Sequence, residues 1–380
     1  MSGAVPVDIG RRPDGSIQLV LHRGDGSSVP IHPIWLRERC PDPASLDPLT
    51  LQRLFEPPDL PLDLAIVEAE AMGGDELRVG FSDGHRSVFS IAAIQAEVAA
   101  LSGIHAPIRP RLWDRRLNPM PSSDWQQAVN GTGMAALLET FLTLGFVVLR
   151  NVPTTPGSVL DVARRFGHVR MTNFGDLFDV WAKAEADDLA YTGLALAPHT
   201  DNPYRDPVPG IQLLHCLINE AEGGNSTLVD GFAVAAELRR RDSEGFAMLT
   251  RTPVRYRYCD GTTELIAWRV PIELDARGEF FAINHSPRLD FVPLLPLDEL
   301  DVYYRARRAF AVLLTSDDFA LRFRLGPGDL EMFDNRRVLH GRTAFDGRSG
   351  ARHLQGCYID RDGPDSLYRV FCRAGRLPAA

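Results

Sequence analysis

Beyond residue 165 the chain is broken into short apolar runs, "GIQLLHCL", "NSTLVDGF", "VRYRYCD", "FFAIN", "LEMFDNRRVLH" and "HLQGCYID", separated by turn-forming residues. Runs of that length bounded by glycine, asparagine and aspartate read as strands, because too few residues are available to bury one face of a helix. Only a few segments, such as "LDELDVYYRARRAFAVLLT", carry helical spacing. The second half is therefore expected to be mainly β, a sandwich or barrel with flanking helices.

In the first hundred residues, "SIQLVLHRGDGSSVPI" and "ELRVGFSDGHRSVFSI" each alternate into a glycine turn, which predicts two hairpins in a small β-rich domain. The proline-rich "PIHPIWLRERCPDPASLDP" between them excludes a regular central strand or a long helix. Clustered prolines and arginines in "IHAPIRPRLWDRRLNPMPSSD" read as an exposed connector. The expected organisation is a small N-terminal domain over 1–105, a connector over 106–124 and a second domain over 125–380. That domain should open with a helix capped by Ser123 or Asp124. The helix "MAALLETFLTLG", ending at Gly145, the buried strand "GFVVLRNVP" and the helix "PGSVLDVARRFG" should follow. The closing "FCRAGRLPAA" is expected to fray.

No apolar run reaches about eighteen residues, and the start lacks the apolar core of a signal peptide. A cytoplasmic location without a membrane partner is expected. The formal charge of -9, from 41 basic and 50 acidic residues, argues against general attraction to nucleic acid and favours a small-molecule partner. Five cysteines without a Cys-x-x-Cys spacing argue against a disulfide framework and a thiolate zinc cage.

Chemistry enters at "LAPHTDNPY". His199 and Asp201 lie two apart on an extended stretch and share one side of it. His340, in "FDNRRVLHGR", follows a turn and a short strand that can return it to the same sheet end. Two histidines and one carboxylate leave coordination positions open, as in non-heme iron oxygenases, with zinc hydrolysis as the competing chemistry. Arg352 tips the choice. It begins an apolar strand, and an arginine turned into a β cavity needs an anion such as a chelating dicarboxylate. Ser226 and Thr227, after a Gly-Gly turn, add hydroxyls suited to a carboxylate.

The blocks around these residues, together with "IHPIWLRERC", "SDGHRSVF" and "NFGDLFDVWAKAEADDLAYTGLALAPHTDNP", resemble the iron(II)- and 2-oxoglutarate-dependent γ-butyrobetaine hydroxylase family. That family lies within the larger group that includes taurine dioxygenase, and the resemblance covers nearly the whole chain. It implies a double-stranded β-helix, or jelly roll, behind a small N-terminal domain. By resemblance His199, Asp201 and His340 are the iron ligands, Arg352 takes the distal carboxylate of 2-oxoglutarate, and Ser226 or its neighbour Thr227 lies beside that co-substrate. Iron(II), 2-oxoglutarate and dioxygen are the implied cofactors, with ascorbate as an in vitro aid. The implied reaction yields succinate and carbon dioxide while an unactivated carbon is hydroxylated.

The family holds a trimethylammonium group in an aromatic cage, since a quaternary cation meets π faces better than hydrogen-bond acceptors. Phe174, Phe178, Tyr191 and Tyr358 resemble cage positions, Asp188 could add a charge, and Trp181 has no matching role. Two departures follow. The family's small domain holds zinc with three cysteines and a histidine, whereas here only Cys40 and His85 remain, with Asp42 and Ser45 at the other sites. No structural zinc is expected. At the anionic end of the substrate, Asn202, Asn284, His285 and Arg288 offer more donors than a carboxylate needs, which suits a phosphonate. The reading favours 2-(trimethylammonio)ethylphosphonate narrowly over γ-butyrobetaine, and then trimethyllysine or another betaine. In either case the partner is a small zwitterion, and a homodimer is expected by resemblance. A non-catalytic binding protein on the same fold is the alternative of another class.

Overall fold

The computed structural model describes residues 7–22, 26–102, 108–130, 133–181 and 194–373. The chain forms two compact units, Met1–His105 and Ala106–Ala380.

In the first unit, strands β1 (Val7–Arg11), β2 (Ile17–His22), β3 (Ser28–Ile31), β4 (Ile66–Gly73), β5 (Glu76–Phe81) and β6 (Arg86–Ser90) form one antiparallel sheet. Both expected hairpins are present, β2 with β3 and β5 with β6. Period-two alternation buries Leu19 and Leu21 of β2 and Leu77 and Val79 of β5 on the same core. Prolines confine the intervening segment to helix α1 (Pro33–Arg37), whose first turn is capped by the His32 ring accepting from Ile34 N. Helix α2 (Ile91–Ser102) follows, with Ser90 Oγ accepting from Ala93 N as its cap.

The second unit begins with β7 (Ser122–Asp124), α3 (Trp125–Asn130), α4 (Gly133–Leu144), β8 (Phe146–Arg150) and α5 (Ser158–Phe166). Asp124 Oδ1 accepts from Gln127 N and caps α3. Helix α4 ends at Gly145, which has φ of +78° and where a Cβ would meet Arg337 at 2.9 Å. Next come β9 (Phe178–Trp181), β10 (Leu196–His199), β11 (Ile211–Asn219), β12 (Glu222–Gly223) and β13 (Ser226–Asp230). Helices α6 (Gly231–Arg241) and α7 (Ser243–Arg251) lead to β14 (Val254–Cys259), β15 (Glu264–Arg269), β16 (Ile272–Leu274), β17 (Phe280–Ile283) and β18 (Asp290–Phe291). Helix α8 (Leu297–Leu314) precedes β19 (Ala320–Phe323), β20 (Leu330–Asp334), β21 (Val338–Arg342), β22 (Phe345–Asp346), β23 (Arg352–Ile359) and α9 (Asp362–Arg373).

Two sheets carry the jelly roll: β7-β8-β20-β11-β23-β9 and β10-β21-β13-β19. Alternation gives the larger sheet two unlike faces. Val147, Leu149, Leu213, Met332 and Cys357 pack with residues of α4 and α5 in one core. The intervening positions, among them Gln212, Leu214, Glu331, Leu354 and Tyr358, line a cavity together with His199, His340 and Ser226 of the smaller sheet.

Residues 108–124 are more than the exposed connector expected of them. Trp113 is buried against Phe146 at 5.0 Å between ring centroids and donates its indole N–H to Leu144 O at 2.7 Å. Pro119 and its neighbours lead into β7, which pairs in parallel with β8. Proline and arginine dominated the reading of this segment, but one tryptophan supplies enough apolar area to anchor it. The C-terminal segment expected to fray is helical through Arg373, with Phe371 packed on the core; its remainder lies outside the described residues.

Candidate active site

His199 and His340 face each other as cross-strand partners of β10 and β21, with ring centroids 4.4 Å apart. Asp201 follows β10 after one residue and is fixed by its backbone. Its N–H donates to Asn335 Oδ1 at 2.7 Å, and Asn335 Nδ2 returns a bond to Asp201 O at 3.0 Å. Asp201 Oδ1 lies 3.3 Å from His199 Nε2 and 3.9 Å from His340 Nε2. Two ligands bonded at about 2.1 Å and near right angles to one ion stand about 3 Å apart, so the three atoms are spaced to hold a metal.

Protonation agrees with that spacing. His199 Nδ1 faces Ala197 O at 3.0 Å, which keeps its proton there and leaves Nε2 as a donor of electrons. Burial, with the nearby His199, pushes His340 down to about 3, so it is neutral. Burial alone would raise Asp201, but it is held below the ordinary carboxylate range, with the Tyr358 hydroxyl donating to its Oδ2. Neutral imidazoles and an ionised carboxylate are the forms that ligate iron(II).

The cavity holds about 370 Å³ and is lined by Ser226, Arg352, Phe174, Phe178, Asn202, Arg288 and Tyr358 among the residues singled out in the sequence. Arg352 is 8% exposed, and its Nε has no hydrogen-bond partner among the described residues. A buried cation facing a cavity in this way fits the distal carboxylate of 2-oxoglutarate.

Five expected site residues change place or fall outside the described residues. Thr227 does not line the cavity: Ser226 does, and on a strand the next side chain points to the opposite face. Asn284 is buried but not in the cavity; its Nδ2 donates to Val270 O and Glu273 Oε1 and its carbonyl accepts from Tyr256. The His285 backbone likewise joins the framework: its N–H donates to Thr200 Oγ1 and its carbonyl accepts from Thr200 N. Asp188 and Tyr191 lie outside the described residues.

Other lining residues gave no signal in the sequence. Tyr258 stacks on Tyr204 at 5.1 Å and meets Phe174 edge-on at 5.7 Å, while Phe178 lies 5.2 Å from Tyr358. Gly356 is what lets Phe178 approach, since a Cβ there would stand 2.5 Å from its ring. The Tyr258 hydroxyl donates to Asp260 at 2.7 Å and, with backbone N–H groups, holds that acid at about 2. An ionised carboxylate thus stands beside an aromatic wall. Glu331 is 3% exposed on β20, and burial pushes it up to about 7 against the pull of Ser226 and Arg352.

In the first unit, Cys40, Asp42 and His85 have ligand-type atoms within 4.8 Å of one another. His85 Nε2 is 2.9 Å from Asp42 Oδ2, and Ser45, at another of the family's ligand positions, lies 3.4 Å from the same nitrogen and accepts from Arg37.

Comparison with known proteins agrees with the fold. Residues 110–358 match the family described as taurine catabolism dioxygenase TauD, TfdA family, and residues 13–94 match the gamma-butyrobetaine hydroxylase-like N-terminal family. The chain is 38% identical to the gamma-butyrobetaine dioxygenase of Pseudomonas sp. (strain AK-1), covering 89% of each chain. It is 32% identical to dioxygenase str8 of Strobilurus tenacellus, over 86% of this chain and 82% of that one. It is 29% identical to the mitochondrial trimethyllysine dioxygenase of Rattus norvegicus, over 89% and 82%.

Proposed function

Since the chain belongs to the taurine catabolism dioxygenase TauD, TfdA family, we propose that it hydroxylates an unactivated C–H bond of 2-(trimethylammonio)ethylphosphonate, next to phosphorus. It is an iron(II)- and 2-oxoglutarate-dependent dioxygenase, and its substrate class is the small trimethylammonium compounds on which its named relatives act. In this reading His199, Asp201 and His340 hold the iron, and Arg352 with Ser226 holds the co-substrate. Bound iron supplies the oxidising chemistry; the chain's residues bind, orient and shield the reacting carbon. Phe174, Phe178, Tyr204, Tyr258 and Tyr358, with the Asp260 charge, offer the π faces and negative field that suit a quaternary ammonium.

The observation that carries the phosphonate is Arg288. It lines the same cavity as the iron ligands, its charge acts on His340, and among the described residues no carboxylate pairs with it. Asn202 is a second donor there: its Oδ1 accepts from Tyr204, and its amide lines the cavity beside the Tyr358 hydroxyl. A phosphonate, with three oxygens and up to two charges, uses both donors, and its carbon lies beside the metal ligands. Without Asn284 and His285, two residues rather than four support this end. The 38% identity to a gamma-butyrobetaine dioxygenase favours γ-butyrobetaine as the second reading, with carnitine as its product. Cytoplasmic location belongs to the same proposal; among the described residues no helix is long and apolar enough to cross a membrane.

The test is succinate release under air with iron(II) and 2-oxoglutarate, comparing the phosphonate, γ-butyrobetaine and trimethyllysine, with product mass read alongside. Coupled turnover highest with the phosphonate, and a product heavier by one oxygen, is expected. Preference for γ-butyrobetaine would transfer the assignment to the second reading, and no coupled turnover with any of the three would overturn the substrate class.

A further inference from the structure

Glu331 is an unusual neighbour for a site that must take a dianion. Its Oε2, together with Gln212 Oε1 and Arg352 Nε, is buried without a hydrogen-bond partner among the described residues, and all three side chains line the cavity. Arg352 acts on Glu331 through space, but no ion pair within 4.0 Å joins them among the described residues. The strands on either side present apolar partners in register, Leu214 of β11 and Val148 of β8. The facing sheet contributes Ser226, with Arg342 opposite it on β21. Cys216, Asp329 and Arg324 complete the titratable and charged surroundings of Glu331 and Arg352. With Glu331 ionised, one guanidinium would face two carboxylates when 2-oxoglutarate binds, an arrangement of like charges that a buried site opposes.

We infer that Glu331 is a positioning residue that receives 2-oxoglutarate as the neutral acid, donating its carboxyl proton to the distal carboxylate held by Arg352. The inference rests on the assignment of Arg352 in the proposed function. The proton comes from solvent: ionised Glu331, one proton and the 2-oxoglutarate dianion combine into one complex, with no bond to carbon made or broken. Because the complex holds the proton that free enzyme loses as pH rises through about 7, co-substrate affinity is full below that pH and falls above it, by at most tenfold per unit.

Calorimetric titration of the anaerobic iron(II) protein with 2-oxoglutarate, in two buffers of different ionisation enthalpy, reads the proton directly. At about pH 8 the wild-type protein should take up close to one proton per co-substrate bound. Glu331→Gln, whose amide donates the same hydrogen bond without titrating, should take up none and bind with pH-independent affinity. The wild-type measurement stands even if the variant fails to fold. Binding by the wild type without proton uptake, or an unchanged pH slope in Glu331→Gln, overturns the inference and leaves the proposed function intact. Failure of 2-oxoglutarate to bind the wild type at about pH 6 overturns both.

Discussion

The phenol of Tyr358 donates to Asp201 Oδ2 at 2.6 Å, which leaves Oδ1 turned toward His199 and His340. A carboxylate fastened at one oxygen presents the other as a single, oriented ligand. Partners of this kind are worth about 10–100-fold in metal affinity. Tyr358→Phe should therefore weaken iron(II) binding by about that factor, while its ring, still packed on Phe178, keeps the fold. Metal titration of the apo-protein checks this; unchanged affinity would mean that the Asn335 bonds alone orient Asp201.

Arg352 and Arg288 line the same cavity, and the proposed function assigns the first to co-substrate and the second to substrate. Truncating one partner of a buried charge pair costs on the order of 2–5 kcal/mol, or at least about thirtyfold in binding. Arg352→Ala should raise the KM for 2-oxoglutarate by that much and change the KM for substrate little. Arg288 is exposed, so Arg288→Ala should raise the substrate KM by a smaller factor, more for the phosphonate than for γ-butyrobetaine. Equal effects of both variants on both ligands would show that the cavity is not divided in this way.

The iron triad was legible because it depends on residue type and on strand ends, which short apolar runs and turns announce. What surrounds it depends on strand phase and on competition for donors, which spacing does not reveal. Ser226 and Thr227 are adjacent hydroxyls, and only the registry of β13 against β19 and β21 decides which meets the cavity. Asn284 resembles a ligand-binding amide until Val270 and Glu273 are seen to use its donors. Tyr204, Tyr258 and Glu331 reach the cavity from segments far apart in sequence, and a glutamate in an apolar strand reads as an ordinary polar edge. Trp113 was masked by the prolines and arginines around it.

In the small domain Asp42, His85 and Ser45 form a hydrogen-bonded cluster beside Cys40. Burial pushes the Cys40 thiol up to about 11, so thiolate forms only at the expense of a proton, and Asp42 already occupies His85. Purified protein should carry substoichiometric zinc, and zinc chelation should leave the unfolding of this domain unchanged. Elemental analysis giving one tightly held zinc per chain would show that Cys40, Asp42 and His85 suffice as a site.

One buried ion pair ties together four segments of the second unit. Asp230, fully buried, accepts from Arg337 at 2.8 Å and 3.1 Å, from Trp113 N at 3.1 Å, and from Phe232 N at the start of α6. Arg337 spends further donors on Thr143 O and Arg111 O, so one contact joins the segment carrying Trp113, the end of α4, β13 and the turn before His340. Replacing both members by apolar residues could be tolerated, but removing one strands a buried charge at a cost of about 3–5 kcal/mol. Asp230→Ala should lose that much in denaturant unfolding with an unchanged slope, and Asp230→Asn, which keeps the cap but not the charge, should lose less. A loss under about 1 kcal/mol for Asp230→Ala would mean that the carbonyl bonds alone satisfy Arg337.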